Sequence, residues 1–452
     1  MSRPLKVANA CAFWGDQPTA AARLVAADPS IDFLTLDYLA EVSLSIMAIQ
    51  RAKHPAAGYA RDFVEVLQSL VSFYQAGGET RIVTNAGGLD PVACATACRD
   101  VVRAAGLGRL KVAVVAGDDV LTRVRENPGA FPNLEDAASL VPLADRLVTA
   151  NAYLGAAAIA DALRAGADIV ITGRVADPSL TVGPCLAHFG WSAADGDRIA
   201  GATVAGHLIE CGTQVCGGCS TDWLDVPLPQ DIGFPIAEIS DDGSCLITKP
   251  AFTGGAVTVQ TVKEQLLYEI GDPGNYLSPD ATVSFLTLSV EQVSPNRVRV
   301  RGATGRPPPP GYKVSATYRD GYKAHGQLTV FGHEAVRKAR RVGESLLVKL
   351  ADAGCAYRET LIECLGTGAS VRGITSRVSD THLVETVLRV SVAADRKESV
   401  ERFAREIASL VTAGPQGVTG YASGRPKVFP IFGYWPCLIE RAGVPPTWRM
   451  IA

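Results

Sequence analysis

The chain has 452 residues, of which 47% are hydrophobic and 20% charged, and its formal net charge is −3. This composition is typical of a packed globular protein with more than one core, and the slight negative charge argues against nucleic acid or an anionic membrane as a partner. The 11 cysteines follow no regular framework, and no apolar run approaches the length of a membrane span. The short apolar stretch near the N-terminus runs directly into a fold unit and does not indicate a signal peptide, so we expect a reduced, cytoplasmic protein.

Short apolar runs alternate with helical patterns over the first 225 residues. Strands separated by helices pair in parallel, so the predicted fold class is α/β, with a parallel sheet and flanking helices in a domain of residues 1–225. The strand candidates are residues 6–10, 33–36, 81–84, 110–116, 146–149 and 168–172, and the helical patterns include residues 59–76, 92–105 and 155–165.

From residue 226 onwards the pattern changes to alternating apolar and polar residues that are broken by Asp-Gly and Pro-Asn turns. Such alternation favours antiparallel strands. A basic amphipathic helix is predicted at residues 331–352, followed by a strand at 384–394 and a helix at 396–411. We therefore predict a smaller α+β domain, residues 226–452, packed on the first.

Three apolar runs lead through a polar elbow into a helix that opens near a proline, at Pro18, Pro91 and Pro178. An aspartate stands one or two positions before each proline, where it could cap the helix or face a ligand. Ligands of open α/β sheets bind at the carboxyl ends of the strands. The polar residues expected at these ends are Asp16, Asp37, Asn85, Asp90, Asp118, Asp119, Asn151, Arg174 and Asp177.

Several of these residues suit particular roles. Gly87 and Gly88 would let the backbone approach a ligand beside Asn85. Asp118 could be a base or, with Asp119, hold a divalent metal. The alternative is that one of these two aspartates caps a helix and only the other faces the site. Arg174 could grip a carboxylate or phosphate, or form a salt bridge to Asp177.

The segment 206–223, GHLIECGTQVCGGCSTDW, is the densest in reactive groups. On a helix His207, Glu210 and Cys211 share a face, which suits acid–base work, metal binding or a buried His–Glu pair without catalysis. The spacing of Cys211, Cys216 and Cys219, with Cys245 as a fourth, is also that of iron–sulfur ligands. Gly217 and Gly218 are more typical of a tight turn beside a ligand. Further charge is contributed by Lys249, Glu264 and Glu269.

The chain has no G-x-S-x-G elbow, P-loop or G-x-G-x-x-G fingerprint. It resembles instead the acyclic terpene utilisation (AtuA) family, from about residue 5 to at least residue 330. The motifs that carry the resemblance include GDQPTAA, VTNAGGLDP, VAVVAGDD, GADIVITGRVADPSL, AGHLIECGTQVCGG, TKPAFTGGAVT and VKEQLLYEIGDPGNYLSPD.

The resemblance implies a place in the breakdown of acyclic terpenoids through branched, carboxylated acyl-CoA intermediates, without fixing a reaction. It does not support the iron–sulfur interpretation, since a hydroxyl residue is expected at Cys216. It also implies that the shared polar positions surround one pocket; these are Asp16, Asn85, Asp118, Asn151, Arg174, His207 and Glu210.

Our first hypothesis is a lyase, either a hydratase–dehydratase or a C–C lyase, acting on a branched, hydroxylated or unsaturated carboxylic acid or its CoA thioester. In it His207, Glu210 and Asp118 are catalytic, while Asp16, Asn85, Gly87, Gly88, Asn151, Arg174, Gly217 and Gly218 bind substrate. The alternatives are an acyl hydrolase or transferase with Cys211 as nucleophile, and a non-catalytic acyl-CoA-binding subunit. No cofactor is firmly predicted, a divalent metal is possible, and a homo-oligomer is plausible.

Overall fold

The computed structural model describes residues 3–371, 373, 383–421 and 423–452. They form two compact units. The first runs to Thr317 and takes in Tyr434–Ala452, and the second comprises Tyr318–Gly433.

A ten-stranded mixed sheet forms the centre of the first unit. The first strands in the chain are β1 (Leu5–Asn9), β2 (Phe33–Leu36), β3 (Arg81–Thr84), β4 (Val112–Ala116), β5 (Leu147–Ala152) and β6 (Ile169–Thr172). Strands β1, β2, β3, β6 and β4 pair in parallel in that order. Their near-continuous Val, Ile and Leu runs suit a sheet that is covered on both faces.

Helices flank this sheet, and Pro91 begins α5 as the sequence predicts. The pattern at residues 59–76 forms two helices rather than one, since the first ends at Ser69. The helices of the unit are α1 (Ala20–Ala27), α2 (Ser43–Lys53), α3 (Asp62–Ser69), α4 (Val71–Gln75), α5 (Pro91–Ala104), α6 (Leu121–Glu126), α7 (Ala157–Arg164), α8 (Ser179–Phe189), α9 (Gly196–Glu210) and α10 (Val259–Leu267).

Antiparallel strands extend the sheet beyond β1 and β4. Strands β7 (Ile236–Ile239), β8 (Cys245–Thr248), β11 (Ser289–Ser294) and β12 (Arg297–Arg301) follow β1, and β19 (Thr447–Met450) lies beside β4. A small antiparallel sheet contains β9 (Tyr276–Leu277), β10 (Thr282–Ser284) and β13 (Thr304–Arg306). The antiparallel character of this region is confirmed. The predicted division near residue 225 is not confirmed, because β7 is hydrogen-bonded to β1 within one sheet.

Strand β5 differs from the parallel strands around it. It pairs with β14 (Gly311–Phe331) and not with the ten-stranded sheet. The physical reason is its pattern, LVTANA, in which polar residues alternate with apolar ones. Thr149 of β5 meets Thr317 of β14 at 2.7 Å between their hydroxyl oxygens, a contact that an apolar parallel strand could not offer.

The second unit packs helices on an antiparallel sheet. Its sheet contains β15 (Glu359–Leu365), β16 (Glu385–Ala394), β17 (Val418–Tyr421) and the later part of β14, and β18 (Phe429–Glu440) also pairs with β14. The helices α11 (Ala335–Asp352) and α12 (Lys397–Ala413) place their apolar stripes in the core with the buried residues of β16. The helix and the strand–helix pair predicted for this region are confirmed.

Over the described ranges, no helix is both long and apolar enough to cross a membrane.

Candidate functional site

The carboxyl ends of β1, β2, β3, β4 and β6 meet at one edge of the sheet. Four of the polar residues predicted for this edge follow these strands by one or two positions; they are Asp37, Asn85, Asp118 and Arg174. Asn9, the last residue of β1, donates hydrogen bonds to the carbonyls of Ile209 and Glu210 at 2.8 and 2.9 Å. These bonds fix the end of α9 against the sheet. A cavity of about 500 Å³ within the first unit has the end of α9 in its wall, and its polar lining includes Glu41, Asp177, His207, Glu210, Glu269 and Tyr276.

His207 is held at both ring nitrogens. Nε2 lies 2.8 Å from the backbone carbonyl of Gln265, and Nδ1 lies 2.9 Å from Oε1 of Glu210. A carbonyl oxygen can only accept, so Nε2 must carry a hydrogen. A second proton is therefore shared between Nδ1 and the Glu210 carboxyl, and the two side chains act as one acid–base unit.

The surroundings of this pair favour retention of the shared proton. Burial lowers the pKa of His207, but the hydrogen bond and charge of Glu210 outweigh it, so the pKa is raised. Burial also raises the pKa of Glu210, and the charge of Asp177 acts in the same direction. Oε2 of Glu210 is buried without a hydrogen-bond partner among the described residues. Such an oxygen is costly unless a ligand or water satisfies it.

Asp177 is the second carboxyl of the cavity. Its Oδ1 lies 3.0 Å from Nη2 of Arg174, in an ion pair whose angles do not make a hydrogen bond. The side chain is 31% exposed while Oδ1 is sealed, so the open surface belongs to the remainder of the side chain, which faces the cavity. Burial is the largest influence and, with the charges of Asp37 and Glu41, it outweighs Arg174 and raises the pKa of Asp177 to about 8.

Arg174 is enclosed by protein. Its side chain is 2% exposed, Nη1 donates to the carbonyl of Leu39, and the guanidinium lies 4.0 Å from the ring centroid of Tyr153. The salt bridge to Asp177, one of the two interpretations of this residue, is present. Arg174 does not line the cavity, so its charge acts on a ligand through Asp177 and Tyr153 and not by direct contact.

Asp118 and Asn151 lie together behind Arg174. Oδ2 of Asp118 accepts from the backbone amide of Arg174 at 2.9 Å and from Nδ2 of Asn151 at 2.8 Å. Burial raises the pKa of Asp118 to about 6 against these hydrogen bonds. Asp119 points elsewhere and accepts from the amide of Leu121 at 3.0 Å. Neither aspartate lines the cavity, so the geometry favours a positioning role for Asp118, and its predicted catalytic role stays a prediction.

Asn85 has both ends of its amide engaged. Oδ1 accepts from the amide of Tyr38 at 2.6 Å, and Nδ2 donates to Asp37 at 2.6 Å. Burial raises the pKa of Asp37 to about 6. Asn85 is fully buried and outside the cavity lining, so it orders the turn after β2. Its predicted contact with substrate stays a prediction.

The glycines beside Asn85 are required by packing. A Cβ on Gly87 would lie 2.4 Å from the carbonyl oxygen of Thr172, and one on Gly88 would lie 2.3 Å from the sulfur of Met47. The loop after β3 therefore rests directly on β6 and α2. Asp90 caps α5 by accepting from the amide of Ala93 at 2.9 Å, as one of its two interpretations predicts.

Asp16 and the glycine pair after α9 lie outside the cavity lining. Asp16 accepts from the amides of Ala12 and Gln17, which shapes the turn before α1. Gly217 has φ +103° at the end of a short 3₁₀ turn, and a Cβ on Gly218 would meet Thr213 at 3.0 Å. Both glycines thus serve the chain reversal, and a role in binding stays a prediction.

The cysteines of segment 206–223 are free thiols. Cys211 is partly exposed, and burial together with the charge of Glu210 raises its pKa strongly. Such a thiol is a poor nucleophile, and both nitrogens of His207 already have other partners. In the part of the chain that the structure describes, no group of three or more His, Cys, Asp or Glu side chains is arranged to hold a metal ion.

Sequence reasoning missed several residues of the cavity, above all Glu41, Tyr153, Tyr276 and Lys313. It also missed Asp280, which accepts from the amide of Ala156 at 2.7 Å and from the hydroxyl of Ser179 at 2.5 Å. These bonds tie the YLSPD segment to the first turns of α7 and α8. This segment is part of a motif that carries the family resemblance, and that was the sequence signal that could have identified Asp280.

Comparison with known proteins gives one match of consequence. A family model described as "Acyclic terpene utilisation family protein AtuA" matches residues 5–450. No curated protein sequence matches the chain. The crystal structure of a homoserine dehydrogenase from Thiobacillus denitrificans is 11% identical, covers 92% of this chain and 84% of that chain, and has a TM-score of 0.15, which carries no argument about fold or activity.

Proposed function

Since the chain belongs to the acyclic terpene utilisation (AtuA) family, we propose that its cavity is the active site of a lyase of that metabolism. The reaction that the cavity suits best is the reversible loss of water from a branched β-hydroxy acid or thioester. The observation that carries this proposal is a pair of carboxyl groups, Asp177 and Glu210, that line one cavity and have raised pKa values. Acid–base enzymes commonly tune two carboxyl groups in this way.

The two carboxyl groups differ in their neighbours and therefore in their protonation. Glu210 shares its proton with His207, so a carboxylate on Glu210 is compensated by an imidazolium beside it. Burial raises the pKa of Asp177 to about 8 although Arg174 lies 3.0 Å away, so Asp177 can hold a proton near neutral pH. Glu210 is therefore the base of dehydration and Asp177 the acid.

The dehydration balances with these two groups. Glu210 takes the proton from the carbon next to the acyl carbonyl, and the electron pair of that C–H bond becomes the new C=C bond. The C–O bond to the β-hydroxyl breaks as Asp177 gives its proton to the leaving oxygen, and one water departs. Glu210 returns its proton and Asp177 regains one through solvent, so the enzyme ends unchanged.

The remaining walls suit a branched apolar chain. Leu134, Ile270, Leu277 and Leu438 line the cavity together with prolines 309 and 310 of the PPPP run. Apolar walls with a few convergent polar groups are the usual form of a small-molecule site. The cysteine-dependent alternative is weaker, because Cys211 has a raised pKa and no free base beside it.

The proposal is tested by mass spectrometry with a panel of branched β-hydroxy acids, their α,β-unsaturated counterparts and the N-acetylcysteamine thioesters of both. We expect gain or loss of one water on at least one member, with turnover reduced at least about 100-fold in Glu210→Gln and Asp177→Asn. Glu65→Gln, which changes an exposed glutamate of α3, is the matched control and is expected to act as wild type.

Two results would count against the proposal. Full turnover by both Glu210→Gln and Asp177→Asn would show that neither carboxyl group takes part in the reaction. Tight binding of a panel member without any conversion, unchanged in Glu210→Gln, would favour the non-catalytic binding subunit.

A further inference from the structure

The end of α9, which carries His207 and Glu210, is held by buried side-chain amides. The last four carbonyls of a helix lack their usual partners and must find donors elsewhere. In α9 the carbonyls of Ile209 and Glu210 accept from Asn9. The carbonyl of His207 accepts from Nε2 of Gln265 at 3.1 Å. Two amide side chains thus replace a glycine cap at this helix end, and both are almost fully buried.

Gln265 contacts His207 in two ways. Its main-chain carbonyl accepts from Nε2 of the imidazole at 2.8 Å, and its side chain donates to the main-chain carbonyl of the same histidine. The orientation of the amide follows from this second bond, because a carbonyl only accepts and the amide nitrogen must therefore face it. Both the ring and the backbone of His207 are thus fixed by one residue of α10.

The side chain of Gln265 is not explained by packing. It is 2% exposed, and its Oε1 has no hydrogen-bond partner among the described residues. A buried acceptor without a donor costs free energy. An apolar side chain of similar length would leave no polar atom unpaired, so the contact with His207 is what a glutamine adds at this position.

The helix that carries Gln265 is itself anchored and leads into the cavity wall. Thr258 and Thr261 form a capping box at the start of α10, with hydrogen bonds of 3.0 and 3.1 Å. The chain that follows α10 brings Glu269 and Ile270 into the cavity lining. Gln265 therefore links the His207–Glu210 pair to an element whose position is already set.

Charged and titratable groups face His207 from three elements. Glu210 lies on its own helix, Glu269 follows α10, and the ring of Tyr276 in β9 lies 6.2 Å from the imidazole. Burial lowers the pKa of His207, while Glu210, the carbonyl of Gln265 and Glu269 raise it. If the ring moved away from Glu210, the effect of burial would gain weight and the pKa would fall.

We infer that Gln265 is a positioning residue for the His207–Glu210 pair, holding the imidazole by its main-chain carbonyl and the end of α9 by its side-chain amide. Nδ1 of His207 thereby stays opposite Oε1 of Glu210. The inference rests on the proposed function for its bearing on turnover, and it deepens that function by naming what keeps the base in place. Gln265 lies outside the cavity lining and exchanges no proton.

The first test uses the wild-type protein and does not depend on turnover. Heteronuclear NMR of protein labelled at histidine reports the protonation of each ring nitrogen. The chain has six histidines, and the signals of His207 are assigned by their loss in His207→Gln. When His207 becomes neutral at high pH, its hydrogen should remain on Nε2, which faces the Gln265 carbonyl. A neutral ring with its hydrogen on Nδ1 would overturn the inference.

The second test is Gln265→Leu, which fills similar space without a donor. We expect the pKa of His207 to fall relative to wild type, and kcat to fall about 10-fold while KM changes less than about 3-fold. A merely structural role would lower the free energy of unfolding and leave the pKa of His207 unchanged.

The matched control is Gln260→Leu. Gln260 is an exposed glutamine of the same helix that donates to Asp222 and Glu264. It should change neither the pKa of His207 nor turnover. An unchanged pKa of His207 in folded Gln265→Leu would overturn the inference, and if this variant does not fold, the wild-type measurement decides.

The two proposals fail in different ways. If the hydrogen stays on Nε2 and the pKa of His207 falls in Gln265→Leu but no compound turns over, the lyase is wrong and the role of Gln265 stands. If water is gained or lost but the pKa of His207 does not respond to Gln265→Leu, the lyase stands and the positioning role is wrong.

Discussion

Replacement of Asp118 by asparagine separates a positioning role from a catalytic one. The side chain is 4% exposed, and Oδ2 accepts from Arg174 and Asn151. The oxygen of an asparagine can accept the same two hydrogen bonds, but the side chain cannot ionise. Asp118→Asn therefore keeps both hydrogen bonds and removes only the ability of this side chain to gain or lose a proton.

The size of the effect follows from the pKa. Folding raises the pKa of Asp118 from 3.8 to about 6 because the carboxylate is buried. A rise of roughly two pH units corresponds to about 3 kcal/mol, at 1.36 kcal/mol for each unit. Since the folded state holds this proton more tightly, the stabilisation is complete below pH 3.8 and is lost as the pH rises through about 6.

The assay is urea unfolding of wild type and Asp118→Asn, followed by tryptophan fluorescence from about pH 4 to pH 8. The free energy of unfolding of wild type should fall by about 3 kcal/mol relative to the variant across this range. Asp352→Asn, at the end of α11, controls for the loss of one carboxyl. If the difference in free energy of unfolding between wild type and Asp118→Asn stays constant with pH, the conclusion that Asp118 is buried and has a raised pKa is wrong.

The same variant informs on catalysis. If Asp118 only positions Arg174 and Asn151, turnover in Asp118→Asn should remain within a few-fold of wild type. If it were the base, turnover should fall by about 100-fold or more.

Three further predictions concern packing, the loop anchor and pH dependence. Gly87→Ala places a methyl 2.4 Å from the fixed carbonyl of Thr172 and should lower the free energy of unfolding by about 1–3 kcal/mol, measured by urea titration. Asp280→Ala leaves the amide of Ala156 and the hydroxyl of Ser179 without their acceptor, and should cost about 2–5 kcal/mol in the same assay, whereas Asp280→Asn should cost less. Turnover in the dehydrating direction should decline above about pH 8 as Asp177 loses its proton, and a pH–rate profile that stays level to pH 9.5 would contradict that role.

The sequence was most informative about the parallel sheet. The strands at residues 33–36 and 81–84 were predicted to the residue, because continuous apolar runs between turn residues specify buried strands. Strand β5 was assigned to the wrong sheet, since its partner lies more than 150 residues away in β14 and periodicity carries no information about pairing.

The site was predictable in part, where its contacts are local in the sequence. The spacing of His207 and Glu210 on a helix predicts their contact. The pair of Arg174 with Asp177 was one of two interpretations of that arginine. Whether a polar group is available to a ligand in the cavity depends on whether it already has a hydrogen-bond partner in the protein. Asn85 and Asp118 have hydrogen-bond partners within the protein, while the hydroxyl of Tyr276 has none among the described residues. Only the tertiary structure shows this difference.

The most direct test of the carboxyl pair is hydrogen exchange at the carbon beside the acyl carbonyl, measured by NMR in heavy water with a β-hydroxy thioester. Removal of this proton needs Glu210, whereas departure of the hydroxyl needs Asp177. The account predicts that Asp177→Asn still exchanges the proton but releases no water, and that Glu210→Gln does neither. Exchange at the wild-type rate in Glu210→Gln would contradict it.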